Sequence, residues 1–429
     1  MAMKDELRPL RVGAARAGGA AVVVSRRAVE RLRDGSVWVY RSEVEQVLPA
    51  AGTASVEPGS VVSVLDARGA GIGSALFSAA SLITLRMVSS EVGLTREGYL
   101  SEIEERLRAA LDLREELVPE DAANDACRLV FSEADRLPGI VADKYGDLAI
   151  VQMLTQGTAQ VDVRAVVARV LSERLQVATI VERPDPRIRQ VEELGDSPEA
   201  PLFVRAGSEA EGPKWKTVFT INGLQFAYDA TAGQKTGAFL DQRLNYAAAA
   251  ARARGKALDI CTYQGGFALH LARVCERVAG VDASRAALEV ADGNLELNAS
   301  QMKAKVDWLE ADAFDVLREY EAAAMRYDTI VLDPPAFAKS KRALEGAMRG
   351  YKEMNLRALK MVSAGGTLVT CSCSQHVSLA EFQAMLASAA ADAKRRVQVL
   401  EVRGASPDHP AIVTLAETSY LKCVICRVE

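Results

Sequence analysis

The sequence predicts an α/β protein: a mostly parallel seven-stranded sheet in the C-terminal half, preceded by a small N-terminal β-barrel and a central α/β domain. Three observations predict it. From about residue 236, strand-like and helix-like segments alternate strictly, which requires crossovers and a sheet covered on both faces. Residues 20–88 instead alternate short Val-rich runs with turns. Between these regions, helical and extended periodicities mix. A chain of 429 residues holds two to four domains, with expected bounds 1–92 for the barrel and its basic arm and 93–215 for the central unit. The sheet domain is expected at 216–429, with a hairpin at 216–230 leading in.

The barrel strands are read from AVVVS, SVWVY, SVVSVLD, GAGIGSALFS and SLITLRMV, with a turn at Glu57–Ser60. Arg8, Arg11, Arg16, Arg26, Arg27, Arg31 and Arg33 lie before the barrel and across its first turn, opposed only by Glu30 and Asp34. This stretch is either a solvated surface or a set of phosphate contacts that would position RNA without reading its sequence. Leu100, Ile103, Leu107, Leu111 and Leu113 then recur at helical spacing over Glu97–Arg114. The next segment reads as two strands around turns at Pro138-Gly139 and Gly146-Asp147, followed by a helix from Val161 to Leu175. A polar stretch between Glu192 and Lys216, with Pro198, Pro201 and Pro213, ends the unit, and Asn222-Gly223 marks the hairpin turn.

In the last domain the expected strands are 256–261, 277–282, 305–310, 327–333 and 366–372, with helices between them. Segments 397–403 and 420–428 lack an intervening helix and are expected to pair as an antiparallel hairpin at one edge.

Composition narrows the function. The formal charge, 52 − 57 = −5, disfavours indiscriminate coating of nucleic acid, and 5% aromatic residues argues against extended base-stacking platforms. The charged start and the lack of a long apolar run predict a soluble, cytoplasmic protein without a membrane segment. Seven cysteines in so long a chain imply reduced thiols rather than a disulfide framework.

The candidate cofactor residues sit at the ends of successive strands, where open parallel sheets bind ligands. The first strand runs into Asp259, Cys261, Tyr263, Gly265 and Gly266, the glycines allowing close backbone approach to a ligand. Asp282 ends the second strand and can accept from both hydroxyls of a ribose. Asp312 and Ala313 follow the third strand, where Asp312 can meet an adenine amino group. A nicotinamide dinucleotide is the rival, but the loop has Gly-Gly followed by Phe267 in place of the dinucleotide G-x-G-x-x-G pattern. S-adenosylmethionine, which has ribose, adenine and an ammonium but no phosphate, fits better, with Asp259 facing the ammonium. Seven strands with an antiparallel edge form the Rossmann-like layout of class I methyltransferases.

The candidate chemical site follows the fourth and fifth strands. Asp333-Pro334-Pro335-Ala336-Phe337 stops a strand and stiffens a loop beside the cofactor pocket, resembling the D/N-P-P motif of methyltransferases acting on nucleobases. Asp333, a candidate at both the cofactor and the reacting base, can accept from a cytosine amino group, and Phe337 can stack on a flipped base. The fifth strand ends in Cys371-Ser372-Cys373-Ser374. Carbon 5 of cytosine is a poor nucleophile until a thiolate adds to carbon 6. Cys371 and Cys373 share a face, but only Cys373 passes the strand end, so Cys373 is the expected nucleophile and Cys371 a packing residue. Zinc is not expected: Cys423 and Cys426, three apart on a strand, face opposite sides. Cys127, Cys261 and Cys275 read as packing thiols, and His270 as a core or surface histidine.

These residues resemble the bacterial 23S ribosomal RNA cytosine-C5 methyltransferases that carry an N-terminal PUA domain. The resemblance spans the chain and is carried by Gly233-Gln234-Lys235-Thr236-Gly237 with Phe239-Leu240-Asp241-Gln242-Arg243, the Asp259–Phe267 loop, Asp333-Pro334-Pro335, Ser372-Cys373-Ser374 and Asp408-His409-Pro410. Glu133-Ala134-Asp135-Arg136-Leu137-Pro138-Gly139 matches the family's central domain. The resemblance implies S-adenosylmethionine as cofactor, 23S ribosomal RNA or a large-subunit precursor as partner, and Cys373 as nucleophile. Pro334, Pro335, Phe337, Lys339, Gln242 and Arg243 are the expected substrate contacts, and His409 can support the site. Ala336 departs from the lysine found after the two prolines in relatives, and Cys371 adds a second thiol. Lys339, Lys341, Arg342, Arg349, Lys352, Arg357 and Lys360 outnumber Glu345 and Glu353 nearby and suggest an RNA groove. Methylation of a base nitrogen, or a non-catalytic role in ribosome assembly, are the alternatives, and monomer and homodimer both stay open.

Overall fold

The computed structural model describes residues 8–206, 212–232, 238–338 and 340–429. The Val-rich runs form β1 (Ala21–Val24), β2 (Trp38–Tyr40), β3 (Val44–Leu48), β4 (Val61–Leu65), β5 (Gly71–Phe77) and β6 (Ile83–Ser89). Their order is β2-β6-β5-β4-β1-β3. Laid flat, six strands would hold β2 and β3 roughly 24 Å apart. Only Arg41–Glu43 joins those two strands, a link of about 10 Å, so the sheet curls into a barrel. Val22 and Val24, Val62 and Val64, and Ala75 and Phe77 turn the same way at two-residue spacing and fill it.

The expected turn after β1 is instead helix α1 (Arg26–Arg33), capped by Ser25, whose side chain accepts from the Ala28 amide. It reads as a turn because it is eight residues long and charged. Arg26 pairs with Glu30, and Arg31 with Glu43, so part of the N-terminal positive charge is already neutralised.

Helix α2 (Arg96–Leu117) leads into β7 (Ala126–Phe131), β8 (Ile140–Tyr145) and β9 (Leu148–Met153), then α3 (Val161–Arg174), β10 (Thr179–Glu182), α4 (Pro186–Glu192) and β11 (Phe203–Val204). Three antiparallel strands stand where two are expected, because each of the two turns reverses the chain. The four-residue β10 is too short to show a period, and α4, with Asp185 as cap and Pro186 in its first turn, is only seven residues long.

The hairpin forms as β12 (Lys216–Ile221) and β13 (Leu224–Asp229), with Asn222 and Gly223 both at positive φ, as a type I′ turn requires. Tyr228 stacks on Tyr145 of β8 with ring centroids 4.3 Å apart, so the hairpin shares its core with the central unit as well as with the last domain.

That last domain contains α5 (Arg243–Ala250), β14 (Lys256–Ile260), α6 (Gly266–Ala272), β15 (Arg277–Asp282), α7 (Arg285–Leu297), β16 (Lys305–Glu310), α8 (Ala313–Ala322) and β17 (Tyr327–Leu332). It continues through α9 (Leu344–Met361), β18 (Val362–Ser372), α10 (Leu379–Asp392), β19 (Val397–Arg403) and β20 (Lys422–Val428). The strand order is β16-β15-β14-β17-β18-β20-β19. The first five strands are parallel, and β20 inserts antiparallel between β18 and β19, leaving β19 at the edge. A separate apolar cluster covers each face: Cys423 belongs to one and Cys426 to the other.

Candidate active site

The chain direction places the ends of β14 to β18 along one side of the sheet, with the order reversing between β14 and β17. Asp312, Asp282, the Asp259–Gly266 loop, Asp333 and Cys373 therefore follow one another across five strands, a row of about 19 Å at the usual strand spacing. Their convergence registers on Cys261: burial raises its thiol pKa most, followed by the charges of Asp282, Asp333, Asp259 and Asp312.

The loop after β14 is held in an uncommon conformation. Cys261, Tyr263 and Gly265 all have positive φ, at 66°, 51° and 85°. Two of these are non-glycine residues, and such strain collects at binding sites. Gly266 is needed for space, since a Cβ there would lie 2.6 Å from the buried Tyr246 ring. Asp282 anchors the loop by accepting from the Tyr263 amide at 2.9 Å and from the Ser284 amide at 2.9 Å.

Asp259 is 0% exposed. Its Oδ2 accepts from Thr262 Oγ1 at 2.6 Å and from the Ala268 amide at 2.9 Å, while Oδ1 is enclosed with no hydrogen-bond partner among the described residues. Burial pushes its pKa up to about 7. An orphaned, buried carboxylate oxygen beside a glycine loop without a phosphate-binding pattern suits a ligand with an ammonium and no phosphates. Asp312 is exposed, and its Oδ1 caps α8 by accepting from Phe314 and Asp315 amides. Ala313 begins that helix.

Asp333 follows β17, and its Oδ2 accepts from Gln242 Nε2 at 3.0 Å. Burial, then the negative charges of Asp241 and Asp259, push its pKa up to about 8. Pro334 is buried, and its carbonyl lies 3.8 Å from Cys373 Sγ. Cys373 stands just beyond β18 and is half-buried, whereas Cys371 is 0% exposed and directly opposite Cys423 across the ladder. Pro335 is exposed. Phe337 packs on Tyr351 at 4.8 Å and faces Phe314 at 6.0 Å. With Arg342, Gly346, Arg349 and Gly350, these two phenylalanines line a cleft of about 510 Å³.

Several expectations are corrected. Arg243 does not reach a substrate surface: it is 3% exposed, donates to the Ala126 carbonyl at 3.0 Å and pairs with Asp408 at 3.3 Å. Gln242, 2% exposed, is spent on Asp333 and Asn245. Both sit in a motif that reads as functional because it is polar, but the polarity serves buried hydrogen bonds. His409 pairs with Asp408 and packs on Phe131 at 5.4 Å, tying the C-terminal loop to the central sheet. His270 is a core histidine, bonded to Gly266 and Asn222, and burial lowers its pKa to about 4. The expected cationic groove is largely self-neutralised: Arg349 pairs with Glu345, Lys352 with Asp392, and Arg357 and Lys360 with Glu321. Lys339 and the Gly233–Gly237 segment lie outside the described residues.

Three residues at the site escaped the sequence reading. Tyr420 donates to Asp241 Oδ2 at 2.5 Å, Tyr351 bonds the hydroxyls of Ser372 and Ser374, and Lys422 donates to the Ser374 carbonyl at 2.7 Å. Lys422 left a signal, being the lone charge in the otherwise apolar run Leu421–Cys426.

This arrangement of sheet order, glycine loop and carboxylates defines an S-adenosylmethionine-dependent methyltransferase. Comparison with known proteins agrees: the model of the S-adenosylmethionine-dependent methyltransferase family matches residues 206–424, and that of the PUA-like domain residues 22–90. The chain belongs to that methyltransferase family, and within it groups with proteins named ribosomal RNA large subunit methyltransferase I. That of Erwinia tasmaniensis is 35% identical over 91% of this chain and 95% of its own length. That of Vibrio cholerae is 35% identical over 92% and 96%. A Streptococcus mutans structure described as a SAM-dependent methyltransferase shares the fold at TM-score 0.76 and 17% identity, covering 95% of this chain and 99% of that one. A further structure of the same similarity class, at TM-score 0.75, holds SAH. Among the described residues, no helix is long and apolar enough to cross a membrane.

Proposed function

We propose that this methyltransferase modifies carbon 5 of a cytosine in 23S ribosomal RNA, as the free RNA or a large-subunit precursor in the cytoplasm, through a covalent bond between Cys373 and carbon 6. One observation carries the reading: a half-buried thiol stands 3.8 Å from the Asp333-Pro334-Pro335 loop, at the end of the cofactor-binding row of carboxylates. The ribosomal target is supported by the names of the full-length relatives and by the PUA-like barrel.

S-adenosylmethionine, when bound, supplies an activated methyl group. Asp259 would hold its ammonium, Asp282 its ribose and Asp312 its adenine, with Cys261, Tyr263, Gly265, Gly266 and Ala313 around it. Asp333, whose pKa is raised by burial, can in its protonated form donate to ring nitrogen 3 of cytosine and accept from the amino group. That donation draws electrons from carbon 6 while the Cys373 thiolate adds there. The electron pair displaced from the 5,6 double bond makes carbon 5 nucleophilic and able to take the methyl. Loss of the carbon 5 proton to a base then restores the double bond and expels the thiolate. Pro334 and Pro335 hold the loop, and Gln242 holds Asp333.

The test is Cys373→Ala in the full-length protein, with mapping of 5-methylcytosine in 23S ribosomal RNA from cells lacking the native copy. The variant should bind SAH and leave one site unmethylated. Retained methylation at that site refutes the covalent route. A methyl on a ring or amino nitrogen of the target base would instead select the thiol-independent reading.

A further inference from the structure

Lys422 opens β20 opposite Ser372 on β18 and is 5% exposed. Its Nζ donates to the carbonyls of Ser374 and Tyr420, each at 2.7 Å. Both partners are neutral, and no carboxylate forms an ion pair with it among the described residues. Buried ammonium groups are ordinarily matched by an opposite charge, because carbonyl dipoles replace only part of the lost hydration. Burial lowers the Lys422 pKa to about 8, and the two charges that favour its protonated form are those of Cys373 and Glu381. Cys373 immediately precedes Ser374, whose carbonyl pins the ammonium, so the fold ties this cation to the segment that carries the thiol.

Of the other groups facing this region, Glu381 adds negative charge but forms no ion pair with Lys422 among the described residues. Glu381 is committed to the amide and hydroxyl of Ser378 at the start of α10. Tyr420 donates to Asp241, and Tyr351 is bonded to Ser372 and Ser374. On the sulfur side, the Cys373 contact with the Pro334 carbonyl can be made only by the protonated S–H. Ionisation forfeits that contact, and a nearby cation offsets the loss.

We propose that Lys422 is a positioning residue whose ammonium, fixed by the Ser374 and Tyr420 carbonyls, stabilises the thiolate of Cys373. The proposal rests on the reading of Cys373 as the nucleophile and adds what activates it. In this role Lys422 acts through the sulfur.

The experiment measures alkylation of Cys373 by iodoacetamide across neutral and alkaline pH in the full-length protein, with the modified residue identified by mass spectrometry. Lys422→Met should move the midpoint of the rate profile upward by about one pH unit and slow alkylation at neutral pH roughly tenfold, since only the thiolate reacts. Lys422→Arg, which keeps the charge, should hold the midpoint near that of the parent. SAH binding by calorimetry reports that each variant is folded. An unmoved midpoint in folded Lys422→Met overturns the proposal. If that variant does not fold, a midpoint in Lys422→Arg as high as that of an ordinary cysteine overturns it instead. The two readings fail separately: methylation surviving Cys373→Ala removes the nucleophile, whereas an unmoved alkylation midpoint removes only the role of Lys422.

Discussion

Gln242 Nε2 donates to Asp333 Oδ2 across 3.0 Å, joining the short turn before α5 to the loop after β17. The same side chain accepts from Asn245 Nδ2 at 2.6 Å, which fixes which end of the amide faces the aspartate. Asp333 is thereby aimed by a residue that is itself buried. Gln242→Ala should lower kcat by roughly 10- to 100-fold, the usual consequence of loosening a reacting group, with SAH affinity changed little. Steady-state methylation beside calorimetry would separate the two effects.

Asp259 and Asp333 make the ligand-free protein sensitive to pH. Each carboxyl has a folded-state pKa above its ordinary 3.8, at about 7 and about 8. Below pH 4 both states are protonated and nothing is lost. As pH rises from 4 to 8 the unfolded chain gives up these protons while the fold retains them, so stability falls through that window and levels off above it. For Asp259 the loss is on the order of 4 kcal/mol. Thermal melts should show Tm declining over this range, and Asp259→Asn should flatten the decline.

If Asp259 holds the ammonium as proposed, the same carboxyl would couple cofactor binding to proton release. With its pKa near 7, Asp259 is about half protonated at neutral pH, and an ammonium on its orphaned Oδ1 would favour ionisation. SAH binding at pH 7 should therefore release roughly half a proton. Calorimetry in buffers of different ionisation enthalpy measures this, and the release should vanish in Asp259→Asn.

Arg243 offers a test of stability rather than catalysis. Its guanidinium links α5 to the Ala126 carbonyl and to Asp408, joining the catalytic domain, the central sheet and the C-terminal loop. Arg243→Ala leaves Asp408 buried with one charged partner fewer and should cost about 3–5 kcal/mol. The midpoint of urea unfolding should drop accordingly, while KM for RNA in the folded protein stays near that of the parent.

Gly266 tests the tightness of the cofactor loop. A methyl group there would meet Tyr246 atoms at 2.6 Å, and that ring is enclosed by Phe267 and His270. Gly266→Ala should destabilise the protein by about 1–3 kcal/mol through overpacking. SAH affinity should weaken in parallel, as seen by calorimetry.

Much of this was legible in the residues. The strict alternation after residue 236 indicated parallel strands because a parallel neighbour can be reached only by a crossover, and the five parallel strands fall within a few residues of their expected bounds. The final hairpin was legible from the missing helix. The glycine loop, Asp282, Asp312, Asp333 and Cys373 stood out because each follows an apolar run, where open sheets expose side chains to ligands. Helix α1 and strand β10 were not legible, being too short and too charged or too brief to establish a period.

Periodicity and turn chemistry are local, so the residues alone reveal the sheet, the order of the carboxylates along the chain and the position of Cys373 beyond a strand end. What the polar residues between these landmarks do depends on packing. Gln242 and Arg243 are adjacent, yet one aims Asp333 and the other clamps Asp408, both from inside the protein. Lys422 meets Ser374 from 48 residues away because β20 inserts beside β18. Burial and hydrogen-bond pairing belong to the packed whole, and a local pattern cannot say which polar side chain will find its partner inside it.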